Sequence, residues 1–137
     1  MNIYYTVTLF AAIFPLTTFC KAQQTGPKIE TLLQSERSWD GVAYDSYPAG
    51  RPELTVLRIT IPPHTALPWH THPMPNVGYV VSGQLTVERK TGGKKQRFGP
   101  GEAIPEMVDA LHRGYTEDEP VLLIVIYAGR KDMPLSK

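Results

Sequence analysis

The sequence predicts an all-β domain, a small antiparallel β-sandwich or barrel, and three observations predict it. Short runs rich in Val, Ile, Thr and Tyr follow one another closely from position 53 onward. Clusters of Gly, Pro and Asp separate them at short intervals. No long stretch shows helical periodicity.

The first element is of another kind. Residues 3–20, within "MNIYYTVTLFAAIFPLTTFC", are apolar, and the text then turns abruptly polar. This reads as a secretory signal peptide over 1–22, with a Cys-x-Ala site before Gln23, although no Lys or Arg precedes the apolar run. A membrane anchor is the competing reading, but the run is short for a span and Pro15 interrupts it. Bulky Phe19 argues against a lipid anchor on Cys20. The expected address is periplasmic or secreted, with no membrane contact after cleavage. Residues 23–50 read as an N-terminal arm, where "KIETLLQSERSWDG" holds at most a helical turn and Trp39 and Tyr44 pin it to the body.

The barrel domain is expected over 51–130. "ELTVLRITI" alternates, with Thr55, Leu57, Ile59 and Ile61 on one face and Val56, Arg58 and Thr60 on the other. "PPHTALP" breaks the run and "WHTH" forms a short strand. "NVGYVVSG" and "QLTVERK" make a tight hairpin at Ser82-Gly83. "TGGKK" returns the chain to "QRF", "GPGE" turns it into "EAIP", and "ALHRGY" follows a loop. After "TEDEP", the last strand "VLLIVIYAG" is so apolar that both of its faces should be covered. About eight strands result. The tail, 131–137, reads as a loose end.

Charge and cysteine content narrow the function. The 137 residues carry a net charge of +1, which argues against a broad nucleic-acid footprint. The basic cluster "KKQR" follows "TGG" and reads as a solvated hairpin tip. Cys20 is the one cysteine, so the mature chain has no disulfide, and histidine and carboxylate remain as metal ligands.

Those ligand types converge in "LPWHTHPMPNVGYVVSG". His70 and His72 stand at i and i+2, so in extended chain both rings point to one side, with Cα atoms about 6.5 Å apart. Pro68, Pro73 and Pro75 stiffen the backbone around them, which suits a rigid site. His112, in a distant β run, is available as a third imidazole, and Asn76 offers an amide oxygen. A His-x-His pair alone often lies on a solvated strand face; the context sets this one apart.

The context resembles the cupin family. Its first motif has Gly, five residues, His-x-His, three or four residues, Glu, six residues and Gly. His70, His72 and Gly83 fit it, while His64 stands at the opening Gly and Asn76 at the Glu. The second motif has Gly, five residues, Pro-x-Gly, two residues, His, three residues and Asn. Gly99 and Pro105 fit; Met107 replaces the Gly, His112 comes two residues late, and Thr116 replaces the Asn. The resemblance covers roughly 54–129 and implies a small jelly roll, or double-stranded β-helix, holding one divalent metal ion.

What the resemblance implies for the site is specific. His70, His72 and His112 are the ligands, with Asn76 as a fourth that brings a dipole where the family has a charge. Iron(II) is favoured, with manganese, nickel, copper or zinc as other fits. Glu106, on the loop before His112, is the expected catalytic carboxylate, orienting a ligand or acting as base; the competing reading is a solvated loop Glu. Arg58, Tyr79 and Arg113 each have a chance of facing the cavity, His64 reads as an exposed turn residue, and Trp69 as packing. The expectation is a small-molecule enzyme of dioxygenase or isomerase/lyase type, with a non-catalytic metal- or ligand-binding module as the alternative. Exposed sheet edges suggest a homodimer.

Overall fold

The computed structural model describes Met1 and residues 26–137. The expected signal peptide, apart from Met1, and Cys20 lie outside the described residues. The strands are β1 (Pro52–Ile61), β2 (Asn76–Ser82), β3 (Leu85–Arg89), β4 (Lys95–Phe98), β5 (Ala103–Pro105), β6 (His112–Tyr115) and β7 (Val121–Arg130). They form two antiparallel sheets, ordered β1-β7-β2-β5 and β4-β3-β6. Both sheets send side chains into one core: Val80, Ile104, Leu123 and Val125 from the first, Leu85, Val87 and Phe98 from the second. Among the described residues there is no helix, so the all-β expectation holds.

Alternation explains which face each strand turns inward. Thr55, Leu57, Ile59 and Ile61 of β1 lie on its less exposed side, in agreement with the sequence pattern. On β7, Val121, Leu123, Val125, Tyr127 and Gly129 are buried. The other face of β7 is covered only in part, with Ile126 at 41% exposure, which corrects the expectation of a strand covered on both sides. Its apolar sequence reflects its central place between β1 and β2.

Three further expectations change. The hairpin expected at Ser82-Gly83 is a corner: β2 pairs with β5 and β7, and β3 with β4 and β6, so the two strands belong to different sheets. The β2–β7 register shifts between Val80 and Ser82, and such a bulge bends a strand out of its sheet. Gly83 completes the corner at φ 76°, packed against the Pro120 carbonyl so closely that a Cβ has no room.

"WHTH" is extended but is not a strand, because each residue bonds a different neighbour. His70 pairs antiparallel with His112, Thr71 exchanges both backbone bonds with Lys137 at 3.0 Å, and His72 bridges Val108 in parallel. The segment also bulges against β6: Ala66 faces Tyr115 and His70 faces His112, four residues on one side against three on the other. Pro68, which has no N–H to give, lies in that bulge.

The tail is not loose. Through Thr71 it flanks the histidine segment, and Met133 and Leu135 pack against the core. The described residues of the arm likewise have no helical turn: an Arg37–Ala43 bridge folds the arm back on itself, and it is tied to the body by Trp39 N–H to the Pro105 carbonyl (2.8 Å) and by the Tyr44 hydroxyl to the Glu106 carbonyl (2.8 Å).

Candidate metal centre

The fold brings the three histidines together. His70 and His112 are direct cross-strand partners, each N–H bonded to the other's carbonyl at 3.0 Å, so their side chains stand side by side. His72, two residues on, shares that side. Ring centroids lie 4.9 Å apart for His70–His72, 4.6 Å for His70–His112 and 5.0 Å for His72–His112. One ring nitrogen from each falls within 4.8 Å of the other two. His72 and His112 are buried, and His70 is half-buried, which leaves its side of the cluster the most open.

Backbone carbonyls decide how the rings are turned. His70 Nδ1 meets the Pro68 carbonyl at 2.8 Å, His112 Nδ1 the Ala110 carbonyl at 2.8 Å, and His72 Nδ1 the Leu135 carbonyl at 2.7 Å. A carbonyl only accepts, so each Nδ1 carries the proton and each neutral ring keeps its lone pair on Nε2. This outer hydrogen bond fixes tautomer and orientation in metal-binding histidines. His70 and His112 reach back two residues in the same way, whereas His72 depends on the tail.

Polar atoms without hydrogen-bond partners occur at His112, on the loop beside it and on β2. His112 Nε2, Glu106 Oε2 and Asn76 Oδ1 are all buried and unpaired. Glu106 Oε2 lies 3.4 Å from His112 Nε2. A carboxylate oxygen and an imidazole lone pair repel unless a proton or a cation stands between them. Asn76 is oriented by its Nδ2, which donates to the Met74 carbonyl at 3.3 Å, and its Oδ1 is the group left free. Three clustered ring nitrogens with an unpaired buried carboxylate oxygen beside one of them are what a metal cation satisfies, so the residues present fit the ion that the resemblance implies.

Electrostatics follow from burial and from Glu106. Burial lowers the His72 pKa, outweighing the Leu135 carbonyl and the Glu106 charge, while neighbouring His112 and His70 lower it further. Burial also pulls His112 down, but the Glu106 carboxylate 3.4 Å away, which would bond and attract the protonated ring, leaves it raised, with help from the Ala110 carbonyl and Asp40. Tyr127 is raised by burial and then by Glu106, so its hydroxyl stays protonated. Its ring stands edge-on to His72 with centroids 5.6 Å apart.

Other expectations resolve here. Glu106 is not a solvated loop residue: its side chain is 13% exposed. His64 is a turn residue at φ 51° with a side chain 73% exposed. Thr116 has no place at the metal; its hydroxyl donates to the Pro62 carbonyl at 2.5 Å and accepts from Thr65 N–H at 3.1 Å, which closes the end of β6. Arg113 pairs with Glu88 at 2.8 Å and covers the Trp69 ring at 4.4 Å, so neither residue faces the histidines. Arg58 is exposed, and Tyr79 lines a groove outside the four-stranded sheet. That groove, about 940 Å³ in volume between sheet and arm, is lined by none of the three imidazoles. Trp39 and Tyr44 pin the arm as the sequence suggested, and the partner of Tyr44 is the Glu106 carbonyl. Sequence reasoning missed Tyr127 and Leu135: alternation along β7 would have turned Tyr127 inward, and nothing local marks Leu135.

Comparison with known proteins bears on the fold and the family. No curated protein sequence matches the chain. Among solved structures, the DMSP lyase DddQ from Ruegeria pomeroyi DSS-3 is 22% identical, with 59% of this chain and 41% of that one covered at a TM-score of 0.53. The polyketide cyclase RemF from Streptomyces resistomycificus is 21% identical, with 61% and 58% covered and a TM-score of 0.54. KdgF from Halomonas sp. is 25% identical, with 64% and 80% covered and a TM-score of 0.51. The chain thus spans well under two thirds of the lyase and of the cyclase, and what it shares with them is the fold. The cupin domain family matches residues 57–127, a span that begins in β1, ends in β7 and takes in all three imidazoles, and the chain belongs to that family.

Proposed function

We propose that this chain is a small metal-dependent cupin enzyme acting on an oxygen-rich small molecule by proton transfer, in the isomerase/lyase class. The observation that carries the proposal is the set of three imidazoles, each oriented by a backbone carbonyl at Nδ1 and each bringing one ring nitrogen within 4.8 Å of the other two. A divalent ion bound there, with iron(II) first and manganese, nickel, copper or zinc as other fits, supplies a Lewis acid that polarises a carbonyl or carboxylate oxygen. His70, His72 and His112 hold it; the half-open His70 side admits substrate. Tyr127, kept neutral by burial, supplies a proton donor within the same core. This proton donor favours proton transfer over dioxygen chemistry, which needs none. Export by residues 1–22 and pairing of two copies along exposed sheet edges belong to the same proposal.

Elemental analysis of the purified chain tests the reading. About one divalent ion per chain is expected, lost in a His70→Ala/His72→Ala variant together with the thermal stabilisation that the ion gives. A wild-type chain that stays metal-free after supplementation would exclude it. Stoichiometric metal with no turnover on hydroxy- and oxo-acids would leave a binding module in place of an enzyme.

A further inference from the structure

We infer that Glu106 is a direct metal ligand and supplies, from the loop between β5 and β6, the negative charge that Asn76 does not. The inference rests on the three-histidine reading and assigns the fourth ligand of that site.

The Glu106 backbone is held on both sides. Its N–H donates to the Asn76 carbonyl at 3.0 Å, and its carbonyl accepts from the Tyr44 hydroxyl at 2.8 Å. Just before it, Pro105 accepts from Trp39 N–H at 2.8 Å. Two anchors from the arm and one from β2 therefore fix where this carboxylate projects. Position 78, on the inward face of β2 beside Asn76 and Val80, is glycine. Glu106 Oε1 lies 3.7 Å from where a Cβ would stand there, an ordinary contact distance, so the carboxylate packs against this face of β2 beside Ile104.

The distance to His112 suits shared coordination, while the three imidazoles by themselves form the group within 4.8 Å of one another. Two donors each about 2.1 Å from one ion, at the tetrahedral angle, stand about 3.4 Å apart. Glu106 Oε2 and His112 Nε2 are separated by 3.4 Å, both buried and both without another partner.

Charge points the same way. Three neutral imidazoles and an amide leave a divalent ion wholly uncompensated in a buried site, which is costly. One carboxylate halves that charge. Asn76 and Glu106 are joined by a backbone hydrogen bond, so the exchange moves the anionic donor from one wall of the site to the adjoining loop.

Cobalt(II) is the probe, because its visible absorption reports ligand number and geometry while its affinity is read by chelator competition. Wild type, Glu106→Gln and the swap Glu106→Gln/Asn76→Glu are compared as full chains, with metal-free melts to establish folding. Glu106→Gln, which keeps shape and removes charge, should weaken cobalt binding by at least about 10–100-fold and change the spectrum. The swap should recover at least tenfold of the loss. An unchanged spectrum overturns the assignment even if affinity falls, because the carboxylate then acts from outside the coordination sphere. A wild type that binds no cobalt overturns the three-histidine reading itself, a separate outcome. Should Glu106→Gln fail to fold, difference infrared spectra of the wild type with and without zinc decide: a shifted carboxylate stretch supports ligation and an unshifted one excludes it.

Discussion

At the scale of single residues, the site depends on hydrogen bonds that its ligands do not make to each other. Tyr44 is the clearest case, since its hydroxyl holds the Glu106 carbonyl. Burial, followed by the Glu106 charge, raises its pKa from 10.0 to about 12. A raised folded pKa means that the contribution is complete below pH 10 and lost as the pH climbs through about 12. Tyr44→Phe should therefore destabilise the protein by about 1 kcal/mol near neutral pH, and denaturant midpoints of variant and wild type should converge in strong alkali. His70, His72 and His112 were readable because chemistry demands that residue type at a recognisable spacing. Tyr44 was readable as an anchor of the arm but its partner was not, because a tyrosine hydroxyl can donate to any carbonyl and only the folded arm selects that of Glu106.

At the scale of elements, two stretches with little sequence signal turn out to be structural. Residues 133–137 flank the histidine segment, and the Leu135 carbonyl holds the His72 proton on Nδ1. Truncation after Asp132 should leave the sheets folded by circular dichroism yet lower metal affinity about 10–100-fold, the usual cost of losing an outer hydrogen bond to a ligand. Unchanged affinity in a chelator titration would show that His72 needs no such partner. The corner at Gly83 makes a second case. Gly83→Ala combines a left-handed backbone, costing about 1–2 kcal/mol, with a collision against the Pro120 backbone. A thermal melt should show one of the larger losses for any surface substitution. Strand existence was legible here from alternation and turn residues; strand pairing was not. A Ser-Gly turn looks alike whether the chain folds back within a sheet or crosses to the facing one.

For the whole molecule, the buried histidines tie metal, protons and stability together. In the metal-free protein, His72 has a lowered pKa, so its contribution is present above the ordinary 6.5 and lost as pH falls. His112 is raised, so its contribution is present below 6.5 and lost as pH rises through its folded value. The metal-free chain should thus be most stable near pH 6.5, declining on both sides. Metal requires all three rings neutral, so it should raise the melting temperature more at pH 8 than at pH 5.5 and be released on acidification. Equal shifts at the two pH values, or occupancy that stays flat down to about pH 4, would rule out histidine ligation.

The sequence by itself determined the class of the fold, the inward face of β1 and the identity of the three imidazoles, because alternation, turn chemistry and ligand spacing act over a few residues. Only the tertiary structure decided that β2 and β3 part into different sheets, that the tail closes on His72, and that a carboxylate from a loop stands beside His112. Each of these joins segments far apart along the chain. Such contacts are selected by which surfaces remain to be buried once the sheets have formed, a property of the packed core that no local pattern records.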